Sequence, residues 1–193
     1  PVELNVWTIE RFFQTFASNS SEIIEFDTSE FDCAGIQCLK ADLGNADSYD
    51  SYLGIVPGEF LAKLYLKYGS KLLQGNIRAF LSVRGNVNKG IRRTIMEQPH
   101  KFFTYNNGIA IVARSVAFSP DGTKIVHFKD PQIINGGQTT ASLANAIIRK
   151  EAKNGMENIF VPMKLTVLNV ENDMSEEEID KYIDELYSCF PTG

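Results

Sequence analysis

The residues best suited to chemistry in this chain are Asn135-Gly136-Gly137-Gln138-Thr139-Thr140, set between an apolar Ile133-Ile134 pair and the helical pattern Leu143, Ala144, Ile147, Ile148. The spacing reads as strand, turn, helix. Glycine reaches positive φ without steric cost and lets main chain approach a ligand closely. The first N–H groups of a helix point outward with a partial positive charge, so the turn can receive an anion such as a phosphate. Asn135 and Gln138 each carry a donor and an acceptor, which suits a nucleobase edge, a ribose or a phosphate. Thr139 or Thr140 is placed to cap the helix. No Gly-Lys-Ser/Thr follows, so this is not a Walker loop, and the glycine spacing is not that of a dinucleotide fingerprint. The same composition also makes a plain strand-to-helix turn whose amides serve only local backbone, and both readings stand at this level.

Two further segments could add contacts. In Phe102-Phe103-Thr104-Tyr105-Asn106-Asn107-Gly108-Ile109, Asn106 and Asn107 beside Tyr105 could present amides and a stacking ring to a base, or form an ordinary Asn-Gly turn. Asn76-Ile77-Arg78 and Val87-Asn88-Lys89-Gly90-Ile91-Arg92-Arg93 offer Arg78, Asn88, Arg92 and Arg93 to phosphates, or else a solvated basic surface. Other constellations are poor. His100 and His127 stand alone, without spacing that suggests a metal cage, and there is no Gly-x-Ser-x-Gly elbow. A nuclease-like Asp121 with Glu151-Ala152-Lys153 fails because the Asp lies in a turn and the Glu-Ala-Lys at a helix end. No general base is evident; Asp130 is the carboxylate nearest the glycines in sequence. If the protein is an enzyme, nucleotide or phosphoester hydrolysis is the class these residues suit.

The elements that position these groups follow from periodicity. Ile9, Phe12, Phe13 and Phe16 predict a helix over 8–17. Strand-like segments follow at 22–27, 35–43 and 49–56. Pro57 suits the first turn of a helix bearing Phe60, Leu61, Leu64, Tyr65 and Tyr68, and Gly69 ends it. A polar helix is predicted over 86–97, stopped ahead of Pro99. Strands at 109–113 and 116–118 lead to the turn Pro120-Asp121-Gly122, with 123–128 as hairpin partner. A strand over 160–168 precedes a last helix, opened by a Ser175/Glu178 capping box. The expected fold is one α+β domain with a mixed, mostly antiparallel sheet flanked by helices.

The 193 residues are 44% hydrophobic and 22% charged, with net charge −5 and a pI near 5.1, which argues against non-specific coating of duplex DNA. Basic residues gather between Arg78 and Lys101, and acidic ones after Asn169. No apolar run reaches membrane-span length, so no membrane partner is expected. Cys33, Cys38 and Cys189 lack the spacing of a redox pair or zinc knuckle and read as idle thiols in a reducing cytoplasm. A start at Pro1 and a stop at Gly193 suggest a fragment of a longer protein.

Four segments in order, Asn76-Ile77-Arg78, Val87 to Thr94, Phe102 to Ile109 and Ile133 to Thr139, resemble the signature of the AIPR family, the bacterial abortive infection phage resistance proteins. The likeness spans about Leu72 to Leu168, and the acidic stretch after Asn169 departs from it. The resemblance implies a bacterial antiphage-defence domain, a piece of a longer protein whose remainder would be its partner. The glycine turn is also similar, more distantly, to the Asp-Gly-Gln-His/Gln-Arg loops of ParB/sulfiredoxin-like domains, which sit at nucleotide or phosphate pockets. Here Asn135 replaces the acid and Thr139 stands where the arginine would be, which removes an ion-pairing carboxylate and a phosphate fork. The alternative to ligand binding is a non-enzymatic sensor or protein-interaction module whose motifs are structural.

Overall fold

The computed structural model describes residues 23–42, 49–73, 86–151, 155–168 and 181. The helix expected over 8–17, the Asn76-Ile77-Arg78 segment and the Ser175 capping box lie outside them. Eight strands form one mixed sheet: β1 (Glu25–Asp27), β2 (Ile36–Lys40), β3 (Tyr49–Pro57), β4 (Ile109–Ala113), β5 (Ser115–Phe118), β6 (Lys124–Lys129), β7 (Gln132–Asn135) and β8 (Phe160–Leu168). Their order is β1-β6-β2-β3-β8-β4-β7, with β5 also paired to β6. Every ladder is antiparallel except β4–β8. The helices are α1 (Gly58–Tyr68), α2 (Asn86–Glu97), the single turn α3 (Phe102–Tyr105) and α4 (Gly137–Ile148). The fold is mixed α+β, as the residue patterns predict.

The last-made of these strands lies inside the sheet, between β3 and β4. β8 pairs with β3 along its whole length, from Tyr49↔Leu168 to Pro57↔Phe160, and on its other side runs parallel to β4. Side chains alternate between faces along a strand. Val161, Met163, Leu165 and Val167 are buried in the main core, and Phe160, Pro162 and Lys164 take the opposite register.

On the core side, α4 packs against both α1 and α2. Leu143 and Ala144 are fully covered, as their spacing predicts, but Ile148, expected on the same face, is 62% exposed at the helix's last turn. Pro57 is the residue that caps α1 rather than part of its first turn, and the Gly58 N–H donates to Ile159 O at 2.8 Å. Gly69 ends α1 with φ +58°, as expected. Phe26, Phe31, Phe60 and Phe128 interlock with ring centroids 5.3–6.3 Å apart, joining β1, β6 and α1. Contacts of this geometry add about 0.5–1.5 kcal/mol each beyond the buried area.

The β5–β6 hairpin turns at Ser119–Thr123, where Gly122 takes φ +71°. The Asp121 carboxylate accepts hydrogen bonds from Ser119 Oγ (2.5 Å), Thr123 N (3.2 Å) and Thr123 Oγ1 (2.9 Å), which lowers its pKa to about 2. Because the folded value lies below the ordinary 3.8, this contribution is present above that pH and lost as pH falls through the folded value. Thermal melts between pH 5 and pH 2 should therefore show Asp121→Asn less stable than wild type near pH 5. The difference should close as the pH approaches 2, and a constant offset would contradict the assignment.

Candidate functional site

Antiparallel pairing of β4 with β7 sets Ala110 opposite Asn135, with a register irregularity between Ala110 and Ile111. That pairing lays the Asn106-Asn107-Gly108 turn directly against Asn135-Gly136-Gly137. Gly136 caps α4 in the left-handed region, φ +86° and ψ +16°. A Cβ there would lie 2.6 Å from Ile109 Cγ2 and 2.7 Å from the Gly108 carbonyl oxygen. Gly108 is itself at φ +85°, and a Cβ on it would run into the Pro162 carbonyl. Both positions thus need glycine twice over, for conformation and for space.

Side chains lock the two turns together. Asn106 Nδ2 donates to Thr139 Oγ1 at 3.1 Å, and the Thr139 hydroxyl returns a bond to Asn106 Oδ1 at 3.2 Å. Asn106 Oδ1 also accepts from the Gly108 N–H at 2.9 Å. The main-chain N–H and Oγ1 of Thr140 both donate to Gly136 O, each at 3.1 Å. Neither threonine caps the helix, contrary to the sequence expectation. Both are buried inside its first turn, because the sharp left-handed bend at the cap position is one that glycine takes most readily.

The consequence is an uncapped helix start. Among the described residues, the N–H groups of Gly137, Gln138 and Thr139 meet no acceptor, and no side chain caps the end. Asn135 is exposed, Gly136 and Gln138 are half-buried, and Gly137 is buried. The carboxamides of Asn107, Asn135 and Gln138 bond to nothing among the described residues, and Asn107 is exposed. The expected site residues therefore divide: Asn106 and Thr139 form a strut, while Asn107, Asn135 and Gln138 form a rim of unspent polar groups.

The basic residues are placed differently. Arg92 grips Glu151 through Nε (2.8 Å) and Nη2 (2.5 Å), tying α2 to the chain just beyond α4 and holding the Glu151 carboxyl below its ordinary range. Arg93 pairs with Glu97 one turn along its own helix. Asn88 lies in α2, and Arg78 is outside the described residues. Asp130 starts the other end of β7, about 15–20 Å of extended chain from Gly136. There it sits at φ +51°, accepts from Gln132 Nε2 at 3.3 Å and faces Arg114 Nε at 3.9 Å. Nearness in sequence is not nearness in space here.

On the outer sheet face, a cavity of about 600 Å³ adjoins the same turn, with Leu53, Ile55, Phe103, Asn107, Pro162 and Lys164 among its lining. Sequence reasoning missed Leu53, Ile55 and Pro162. The available signal was β3 itself, which carries apolar residues in both registers although the core covers only one.

The AIPR protein family matches residues 73–183, more than half of the 193-residue chain. The chain belongs to the AIPR family. The match contains all four motifs, and three of them fall in the α2, α3–β4 and β7–α4 segments just described. It also runs to residue 183, so the acidic stretch after Asn169 belongs to the AIPR region, against the expectation that it departs from it. This makes the protein a bacterial abortive-infection, antiphage-defence domain. No curated protein and no solved structure matches the chain significantly, and the likeness to ParB/sulfiredoxin loops finds no support in these comparisons. Among the described residues no helix is long and apolar enough to cross a membrane, and no cluster of three or more His, Cys, Asp or Glu residues is suited to a metal ion.

Two measurements test this construction. Gly136→Ala should cost on the order of 2–4 kcal/mol in denaturant unfolding, from left-handed strain plus the forced contact. A double-mutant cycle on Asn106→Ala and Thr139→Val should return a coupling of about 0.5–1.5 kcal/mol, and additivity would deny the strut.

Proposed function

We propose that this AIPR domain recognises a nucleotide or a nucleic-acid strand at the β7–α4 turn, acting in the bacterial cytoplasm in abortive infection. The observation that carries the reading is the set of three first-turn amides, 137–139, that meet no acceptor among the described residues, beside the carboxamides of Asn107, Asn135 and Gln138, likewise unbonded among them. A phosphate oxygen fits such amides, because it brings charge to the positive end of the α4 dipole without needing a cationic side chain. Gly136, left-handed and packed on Gly108 and Ile109, sets the bend that starts the helix without a capping side chain. Arg78 is the proposed further phosphate partner, and Arg92 and Arg93 would have to exchange Glu151 and Glu97 for phosphate to contribute. We place 1–193 in a single domain, with any remainder of the protein as its partner.

Binding is better supported than hydrolysis. Asp130 is remote from the turn, and it is already engaged by Gln132. The opposing reading, a structural or protein-interaction module, draws on Asn106 and Thr139, whose polar groups are spent on each other.

A thermal-shift series with inorganic phosphate and nucleoside mono-, di- and triphosphates separates the two. A ligand at a hundred times its Kd should stabilise the fold by about 2.7 kcal/mol. Gln138→Ala should abolish that shift and leave the unliganded Tm nearly unchanged, since the carboxamide bonds to nothing among the described residues. A variant that melts far lower, together with a wild type that no ligand shifts, would hand the motifs to the structural reading.

A further inference from the structure

We propose that the cavity on the outer face of the sheet is the base-binding half of the same site, so that the ligand is a nucleotide lying across the Asn106-Asn107-Gly108 turn. The inference rests on the phosphate cradle proposed above. At about 600 Å³ the cavity has the size of small-molecule sites in general. Its floor is apolar: Leu53, 61% exposed, and Ile55 lie on β3, and Ile55 pairs with Pro162 across the ladder. Phe103, 43% exposed on α3, supplies an aromatic wall. Lys164, opposite Leu53 on β8, is the one charged residue of the lining among the described residues.

A planar heteroaromatic ring matches this lining. Its faces need apolar and aromatic cover, and its edge carries donors and acceptors that a carboxamide can meet. Asn107 offers such a carboxamide at the cavity, exposed and unbonded among the described residues. Continuity fixes which ligand the ring belongs to. The residue before Asn107 is bonded to Thr139 at the start of α4, and the carbonyl of the residue after it lies beneath Gly136. One three-residue turn therefore separates the helix-start amides from the ring site. Because a carboxamide serves either donor or acceptor edges, the cavity should favour having a base over lacking one more strongly than it favours one base over another.

Calorimetry on the 193-residue chain tests this with three probes: ribose 5-phosphate, the four nucleoside 5′-monophosphates and the corresponding free nucleosides. The monophosphates should bind roughly tenfold or more tighter than ribose 5-phosphate, the gain of stacking one base. That ratio should fall below about twofold in Phe103→Ala and in Leu53→Ser, both at exposed side chains, whereas Gln138→Ala should weaken both ligands and preserve it. Equal affinities for ribose 5-phosphate and the monophosphates would overturn the base site and leave the cradle standing. Nucleosides binding as tightly as their monophosphates would keep the base site and overturn the cradle. No binding by any probe overturns both.

Discussion

Two left-handed glycine turns pressed against each other are the constraint on which this structure depends. Gly108 and Gly136 come from segments joined by the β4–β7 ladder, and each fills space a side chain cannot share. Pro162 on β8 backs Gly108, so that turn cannot shift without disturbing the strand that joins β3 to β4. The Asn106–Thr139 bonds then tie the first turn of α4 to the turn that precedes β4. The uncapped helix start is a result of that geometry. A serine or threonine at the cap would have served the free N–H groups itself, and glycine leaves them for something else.

The recognition proposed for this AIPR domain rests on main-chain amides and neutral carboxamides. The arginines of α2 that composition offers for phosphate are tied to Glu151 and Glu97. Exposed ion pairs of this kind contribute little to stability, so a highly charged ligand could compete for them at modest cost. Affinity that comes from helix-end amides is directional, whereas a lysine-rich patch would attract any polyanion.

Much of the frame is legible in the residues. The strand 160–168 and the helix 86–97 have the bounds expected from alternation, helical spacing and the Pro99 stop. The strand–turn–helix around Gly136 also stands where the apolar pairs and glycines place it. The strut is not legible, since Asn106 and Thr139 are 33 residues apart and only the β4–β7 register brings them together. Threonine's general preference for capping misleads at 139–140, because left-handed backbone outranks it. Ile148 misleads for a related reason: helical spacing says which residues share a face, not where the covering layer ends. The outer cavity is only hinted at in the sequence, by apolar residues in both registers of β3, because exposed leucine on a strand looks the same as buried leucine.

The place of β8 in the sheet has a bearing on biosynthesis. Strands β1, β6, β2 and β3 make one half of the sheet and β4 with β7 the other, and β8 alone bridges them. Yet β8 is the last of these strands to leave the ribosome. Until it inserts, β3 and β4 present unpaired edges and Gly108 lacks its backstop, so pairings distant in sequence must wait for nearly the whole described chain. The Gly108–Gly136 turn is thus assembled only once β8 has emerged, and a chain cut before β8 would carry the motifs without the shape that holds them.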